Sequence, residues 1–216
     1  MERQRQHVIS GRTIVHCPSR LEWREWLAAH FESDQEIWLV SPVKVSGEES
    51  VSYNDAVEEA LCFGWIDSTA GTLDATHQLR RFTPRRKGSP YSRPNIERLI
   101  WLDAHGMIHP KIRESVKDII NEPYVFPEDI IDALQQDEIV WKNYNSFSDS
   151  YRRIRVAYID SARKRPEEFD RRLANFIKKT KQNKTFSNKT KKSKKSNPTF
   201  NTFHKMKSNS SQIKII

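Results

Sequence analysis

Cysteine is scarce in this sequence, and its scarcity excludes two kinds of small protein. The 216 residues include 2 Cys, Cys17 and Cys62, and neither belongs to a C-x-x-C motif. Because a disulfide framework and a structural zinc site both need several cysteines at short spacings, neither is expected here. The pattern favours a protein of a reducing compartment, and we expect the chain in the cytoplasm.

Long hydrophobic runs are missing as well. No stretch approaches the roughly 20 apolar residues of a membrane span. The first residues, MERQRQHVISGR, lack the apolar core of a signal peptide. The mean hydropathy is -0.79, yet the chain holds 6 Trp, 6 Tyr and 10 Phe. This aromatic content is sufficient for a core, so we expect a soluble folded protein without a membrane span.

Acidic residues are absent from the C-terminal end of the chain. The last one is Asp170, and residues 178–216 contain 12 of the 37 Lys+Arg, all of them Lys. The rest of the chain therefore holds 25 basic side chains against 28 Asp+Glu, so the net charge of +9 arises from this end. A segment rich in Lys, Asn and Ser buries little, so residues 181–216 are predicted to be a disordered basic tail. Such a tail is either a solvated extension or a basic arm that binds nucleic acid or an anionic membrane surface.

Periodic apolar residues predict an α+β domain over residues 1–126. Ser19 and Ser52 each stand three residues before an acidic side chain, as expected of N-caps of two amphipathic helices. Short runs at residues 37–40, 65–68 and 77–83 predict strands, the last two joined by a turn at Ala70 and Gly71. The expected fold is a small antiparallel sheet packed with helices.

Prolines mark the starts of helices in the C-terminal half. Pro127 and Pro166 precede apolar residues at helical spacing, and a further helix is predicted around Tyr151 and Tyr158. Residues 127–180 are therefore predicted to be a helical C-terminal domain of three helices, followed by the tail at 181–216. The middle helix carries arginines interpreted as a solvated face, with an RNA-facing surface as the alternative: Arg152, Arg153 and Arg155.

Basic residues are concentrated near the second of the paired strands. Six cations lie within 14 residues: Arg80, Arg81, Arg85, Arg86, Lys87 and Arg93. The basic loop, which we define as residues 85–94, also carries hydroxyl groups, Gly88 and two prolines. Guanidinium groups bind two oxygens at once, and a helix N-terminus adds positive potential, so the segment has the chemistry of an anion site. The alternative is that these arginines form ordinary surface ion pairs.

We predict a ligand-binding pocket where the basic loop turns into the following helix. Ser92 is the expected N-cap of that helix, which leaves other first-turn N–H groups beside the loop. The alternative is that Ser92 and Asn95 only tie the loop to the sheet. The predicted site residues are Trp65, Asp67, Arg80, Arg85, Arg86, Tyr91, Ser92 and Asn95.

Motifs for catalysis, metals and cofactors are missing. The sequence contains no P-loop, GxGxxG, GxSxG or paired-histidine metal motif. Asp67 is the single carboxylate of interest, either as an acid or base or, more simply, as the partner of an arginine such as Arg80. We therefore expect no catalytic residue, metal or cofactor. An enzyme in which Asp67 acts on an anionic small molecule is the alternative.

Two segments of the chain resemble a known family. SYNDAVEEALCFGWIDS (52–68) and RFTPRRKGSPYSRPN (81–95) are similar to signature segments of the YdeI/OmpD-associated, bacteriocin-protection family. The second segment matches without a gap, with Tyr91 where the family usually has Trp. Residues 148–173 are similar to the C-terminal domain of that family, so the resemblance covers roughly residues 19–180.

The resemblance implies a cytoplasmic protein associated with resistance to bacteriocins or cationic antimicrobial peptides. It implies no catalytic residues. The second matching segment coincides with the basic loop, which the charge pattern had already indicated. We therefore expect a non-catalytic protein that binds an unidentified anionic ligand or protein partner at this loop.

Overall fold

A computed structural model describes residues 11–43 and 47–186, together with the backbone of residues 5–9. Its strands are β1 (Arg5–Ile9), β2 (Arg12–His16), β3 (Ile37–Pro42), β4 (Trp65–Thr72) and β5 (His77–Pro84). Its helices are α1 (Arg20–His30), α2 (Tyr53–Cys62), α3 (Arg93–Ala104), α4 (Pro110–Asn121), α5 (Glu128–Gln135), α6 (Glu138–Ser146), α7 (Asp149–Asp160) and α8 (Pro166–Lys181). The chain divides into two compact units. The first contains Met1–Tyr91 and Arg98–Asn121, and the second contains Ser92–Glu97 and the residues from Glu122 onward.

The first unit contains a five-stranded sheet of order β1-β2-β3-β5-β4, which confirms the α+β class. β2 runs parallel to β3, whereas the other neighbouring strands are antiparallel. The sheet is therefore mixed, and the prediction of an antiparallel sheet was wrong at this pair. The reason is that α1 connects β2 to β3, and a helical crossover brings the chain back to the end of the sheet from which the first strand started.

The turn between β4 and β5 lies later than predicted. β4 continues through Ala70 and Gly71 to Thr72, and the chain reverses at residues 73–76. Asp74 fixes this reversal, because its carboxylate accepts the backbone N–H of Thr76 at 2.7 Å. Asp74, whose short side chain closes the turn, therefore indicates the position of the turn better than the Ala70-Gly71 pair does.

Serine caps start the first two helices, as predicted. The hydroxyl of Ser19 accepts the N–H of Glu22 at 3.2 Å, and that of Ser52 accepts the N–H of Asp55 at 3.2 Å. α2 differs from an ordinary surface helix because every residue from 55 to 62 is buried. A helix buried on all sides, here in contact with both α1 and β4, belongs to the interior of its unit.

The core of the first unit is rich in aromatic side chains. The largest fully buried members are Trp23, Trp26, Trp65, Phe82 and Leu39. They come from α1 and from β3, β4 and β5, and they form one cluster with α2. A smaller apolar cluster, drawn from β2, β3 and β5, consists of Ile14, Trp38, Val40 and Leu79. Since side chains alternate along a strand, the two clusters lie on opposite faces of the sheet.

Between residues 127 and 186, the described part of the second unit contains four helices where three were predicted. α6 was missed, although its start is well marked. The carboxylate of Asp137 accepts the N–H of Ile139 at 2.9 Å and of Val140 at 3.1 Å. Val140 and Tyr144, four residues apart, are buried. They belong to a core that also includes Ile130, Leu134, Val156, Ile159 and Phe176.

The predicted tail begins inside the described part of the chain. Lys181 is the last residue of α8, and Phe186 packs against the core of the second unit. Residues 187–216 lie outside the described residues, and the predicted domain bounds at 126 and 180 stay predictions. Within the described residues, the helices are too short or too polar to cross a membrane.

Candidate functional site

β5 places two consecutive arginines on opposite faces of the sheet. Arg80 shares a face with the buried Phe82, and its guanidinium carbon lies 5.0 Å from the centre of the Tyr53 ring on α2. Arg81 points to the other face, where its Nε donates to Glu36 at 2.7 Å. Arg81 therefore forms an ion pair with Glu36, while Arg80 contacts the Tyr53 ring of α2.

Asp67 accepts a hydrogen bond from one neighbour and lies near another. The hydroxyl of Tyr53 donates to Asp67 Oδ2 at 2.8 Å, and Nη1 of Arg80 lies 3.9 Å from the same oxygen. Burial, followed by the hydrogen bond to Asp67, raises the pKa of the Tyr53 phenol. The carboxylate of Asp67 is therefore bound by Tyr53 and lies close to Arg80, as expected if Asp67 is the partner of an arginine.

Arg85 is fixed by contacts within its own loop. Its guanidinium carbon lies 3.6 Å from the centre of the Tyr91 ring, a stacked cation–π contact. Nη2 donates to the carbonyl of Pro90 at 2.7 Å and to that of Ser89 at 3.2 Å. The backbone N–H of Arg85 donates to the carbonyl of Gly64 at 2.9 Å. The side chain is held in one orientation by Nη2 and the ring, while Nε and Nη1 have no acceptor among the described residues.

A pocket of about 310 Å³ lies beside Arg85 in the first unit. It is lined by Phe31, Glu32, Phe63, Gly64, Trp65, Pro84, Arg85, Lys111 and Ile112. Trp65 lies deepest, fully buried, with its indole N–H donating to the carbonyl of Phe31 at 3.1 Å. Lys111 and Glu32 form an exposed ion pair at 2.5 Å. The pocket thus combines an apolar floor with two cations and one carboxylate.

Gly64 gives this pocket its shape between α2 and β4. Its φ of +73° is left-handed, which favours glycine at the end of a helix. A Cβ at this position would lie 2.9 Å from Cδ1 of Ile112, closer than side chains normally approach. A glycine directly after a helical pattern is an ordinary sequence signal of a helix end, and the structure adds this close approach.

The other predicted site residues have different surroundings. Arg86 is exposed, and its carbonyl accepts the backbone N–H of Ser89 at 3.1 Å. Ser92 and Asn95 belong to the second unit, at the start of α3. The carbonyl of Ser92 accepts the N–H of Asn95 at 2.9 Å and of Ile96 at 3.0 Å. These backbone contacts start the helix.

Three of the six clustered cations form ion pairs, and the one between Arg80 and Asp67 is described above. Arg81 binds Glu36, and Arg93 donates through Nε to Glu97 at 2.7 Å. Glu97 is buried and also accepts from Arg153 at 2.6 and 2.7 Å. The alternative of a surface ion pair is therefore confirmed for Arg81, whereas Arg93 pairs with a buried carboxylate. The interpretation of Arg153 as part of a solvated face was wrong.

α2 carries a buried acidic cluster that the sequence analysis did not single out. Glu58 and Glu59 are fully buried and Asp55 nearly so. Arg20 of α1 donates to all three, at 2.9 Å to Asp55, 2.8 Å to Glu58 and 2.5 Å to Glu59. Burial raises the pKa of Glu58 to about 6. The sequence did contain a signal for this cluster. Asp55, Glu58 and Glu59 lie at positions i, i+3 and i+4 of a helix whose neighbouring residues are mostly apolar, so they share one face.

The structure thus groups the predicted residues of the first unit in two places. Trp65 and Arg85 line the 310 Å³ pocket, with Tyr91 stacked on Arg85. Asp67 and Arg80 meet at Tyr53 instead. Arg86 is exposed on the loop. The chemistry available at the pocket is recognition of an anion by a fixed guanidinium group over an apolar floor.

Two family models match this chain, each over one part. Residues 15–115, which include the basic loop and both signature segments, match a Domain of unknown function (DUF8412). Residues 123–183 match the model described as Bacteriocin-protection, YdeI or OmpD-Associated. No match was found among curated proteins or among solved structures.

The predicted resemblance is therefore confirmed in the C-terminal helices, although the segments that first indicated it lie in the other match. The matched region contains α5 to α8 and their common core. The similarity to the bacteriocin-protection, YdeI or OmpD-associated family therefore lies in residues 123–183.

Proposed function

We propose that this chain is a non-catalytic, cytoplasmic protein of the bacteriocin-protection type that binds an anionic ligand at the pocket beside Arg85. The family of residues 123–183 supports a bacteriocin-protection type of function. The observation that carries the proposed site is the fixed guanidinium group of Arg85 at the rim of a 310 Å³ pocket.

The orientation of Arg85 favours binding of a carboxylate. Its Nη2 is occupied by Ser89 and Pro90 and its face by Tyr91, so the side chain loses little freedom when a ligand arrives. Nη1 has no acceptor among the described residues, and it can donate a charge-assisted hydrogen bond to a carboxylate oxygen.

The floor of the pocket selects for an apolar group attached to that anion. Phe31 and Phe63 pack with ring centres 5.4 Å apart, and Ile112 closes the wall near Gly64. Apolar side chains in a concave site bind the hydrocarbon part of a ligand, while a few polar groups orient it. Lys111 adds a second cation at the mouth of the pocket. The expected ligand is a carboxylate on an aromatic or branched apolar group.

The two alternatives have less support. An acid or base role for Asp67 needs a carboxylate that faces a cleft, whereas Asp67 accepts from Tyr53 and lies 3.9 Å from Arg80. Nucleic-acid binding through residues 181–216 stays a prediction, because most of that segment lies outside the described residues.

A pair of probes that differ only in charge tests the proposed site. N-acetylphenylalanine has the carboxylate and the apolar ring, whereas its amide lacks the negative charge. We expect calorimetric titration to show binding of the acid, and binding of the amide weaker by about tenfold or more. Equal binding of the acid and the amide would show that no anion is recognised there.

Matched variants locate the binding. Arg85→Met removes the guanidinium group and should weaken binding of the acid by about 10- to 100-fold. Lys117→Met removes one positive charge from the exposed face of α4 and should leave the affinity unchanged. Lys111→Met, which keeps the Arg85 contacts intact, should give a smaller loss. The site lies elsewhere if Arg85→Met and Lys111→Met both bind like the unaltered chain.

The bacteriocin-protection role is tested in cells with the same variants. Cells that produce the chain should survive a bacteriocin challenge better than cells without it, and Arg85→Met should remove that advantage. Protein levels are compared by immunoblot, so that loss of folding is distinguished from loss of the site. Full protection by Arg85→Met would separate the function from this pocket.

A further inference from the structure

A second pocket, of about 140 Å³, lies between α7, α8 and the segment that follows α8. It is lined by Arg155, Tyr158, Arg171, Arg172, Asn175 and Phe186. All six residues belong to the second unit and to the family domain at residues 123–183 or its immediate C-terminal end. Three of the six are arginines, so positive charge is concentrated around the pocket.

Arg155 is a half-buried cation without an acidic partner among the described residues. Its guanidinium carbon lies 4.0 Å from the centre of the Phe186 ring and 4.8 Å from that of Tyr158. Its Nε is buried and has no hydrogen-bond acceptor among the described residues. Burial and the nearby Arg172 lower the pKa of Arg155. Because Arg155 lines the pocket without an acidic partner among those residues, an anion from outside the protein fits there.

The other two arginines share a single carboxylate. Nε of Arg171 donates to Glu168 at 2.9 Å, and Nε of Arg172 donates to the same carboxyl group at 2.6 Å. The guanidinium carbon of Arg172 also lies 3.9 Å from the centre of the Tyr158 ring. Three arginines against one carboxylate leave an excess of two positive charges around the pocket. Lys179, 3.8 Å from the centre of the Phe186 ring, adds to the positive potential nearby.

We propose that this pocket binds the phosphate group of a small phosphomonoester. The excess of two positive charges matches the charge of about -1.5 to -2 on such a group at neutral pH. Guanidinium groups donate to two phosphate oxygens in parallel, and Asn175 supplies a neutral amide donor on the same wall. The volume of about 140 Å³ holds a phosphate group but leaves its ester substituent toward solvent. This site is separate from the pocket beside Arg85 and does not depend on the proposed function.

Titration with inorganic phosphate and methyl phosphate tests this site in the full chain. Acetate and chloride at the same ionic strength are the reference anions. Both phosphates should bind, while acetate binds about tenfold more weakly or not at all. Binding of inorganic phosphate without methyl phosphate would contradict a site open to monoesters. Equal binding of acetate would contradict recognition of phosphate.

Variants identify the residue that makes the contact. Arg155→Met keeps an apolar side chain of similar length and should weaken phosphate binding by about 10- to 100-fold. Arg155→Lys keeps the charge without the two-pronged geometry and should give an intermediate loss. Lys164→Met removes one charge from an exposed residue of the same unit and should have no effect. The Arg85→Met chain should bind phosphate normally, which separates this result from the outcome for the first pocket.

A spectroscopic measurement on the unaltered chain covers the case in which Arg155→Met fails to fold. The side-chain Nε–H signal of Arg155, assigned through Arg155→Lys, should shift in a saturable manner as phosphate is added. A signal that stays unchanged while phosphate binds would overturn the assignment. So would the absence of any phosphate binding by the folded, unaltered chain.

Discussion

Two half-buried arginines of this protein, Arg20 in the first unit and Arg155 in the second, have different partners. In the first unit, Arg20 donates to three buried carboxylates of α2. In the second, the described residues give Arg155 aromatic rings and no carboxylate. A buried cation that is paired by its own chain stabilises the fold, whereas one that is only stacked on rings keeps donors for a ligand.

This difference is more informative than the number of basic residues. Residues 80–93 hold six cations, yet Arg81 and Arg93 are paired with acidic residues. Arg155, in a helix interpreted as having a solvated face, lines a pocket with two further arginines. The number of acceptors around each guanidinium group therefore separates structural arginines from candidate binding residues.

Breaking the network around Arg20 should have the largest effect on stability. Arg20→Met removes the arginine that binds Glu58 and one of the two that bind Glu59, the other being Arg24. Loss of one partner of a buried ion pair costs about 3–5 kcal/mol, so the free energy of unfolding should fall by about that amount. Urea denaturation at neutral pH measures it.

An exposed arginine of the same unit is the control for that variant. Arg113 pairs with Asp103 on the surface, and its side chain is 64% exposed. Arg113→Met should leave the urea midpoint within the error of the measurement, because exposed ion pairs contribute little. If Arg20→Met is as mild as Arg113→Met, the buried network does not stabilise the first unit and the comparison fails.

Glu58, an acidic member of the same network, should make the free energy of unfolding depend on pH, with an effect smaller than the loss of Arg20. Burial raises the pKa of Glu58 from 4.5 to about 6, so between these pH values the folded state binds its proton more strongly than the unfolded chain. The corresponding stabilisation is present below pH 4.5 and is lost as the pH rises through 6. A shift of this size corresponds to about 2 kcal/mol.

Glu58→Gln removes this titration and therefore tests it. Between pH 4.5 and pH 7, the variant should lose about 2 kcal/mol less stability than the unaltered chain. Glu114→Gln, at an exposed position of α4, should keep the pH profile of the unaltered chain. The assignment to Glu58 is wrong if Glu58→Gln and the unaltered chain show parallel profiles in urea unfolding across this range.

Local signals predicted much of the first unit. The Ser19 and Ser52 caps, the α+β class and the helix end at Gly64 all depend on residues within one turn or strand. What failed depended on partners distant in sequence. The parallel pairing of β2 with β3 follows from the crossover through α1, and alternation of side chains within each strand cannot reveal it.

The candidate sites show the same division. The sequence indicated Arg85 and Tyr91 as neighbours, six residues apart in one loop, and they do stack. It could not place Lys111 beside Arg85, because that contact depends on how α4 packs. It also could not show that Arg155 and Phe186 meet, since a phenylalanine in a lysine-rich segment indicates solvent exposure when read alone.

Loss of the arginine without an acidic partner should affect stability less than loss of Arg20. Arg155→Met loses cation–π contacts with Phe186 and Tyr158, but it also relieves a buried guanidinium donor that has no acceptor. A cation–π contact contributes about 0.5–2 kcal/mol, and removal of the desolvated charge offsets part of that, so the net change should stay below about 1 kcal/mol. Urea unfolding of Arg155→Met beside Arg20→Met measures the contrast directly. A loss at Arg155 as large as that at Arg20 would mean that Arg155 is structural, and it would remove the distinction between paired and ring-stacked arginines on which the second pocket depends.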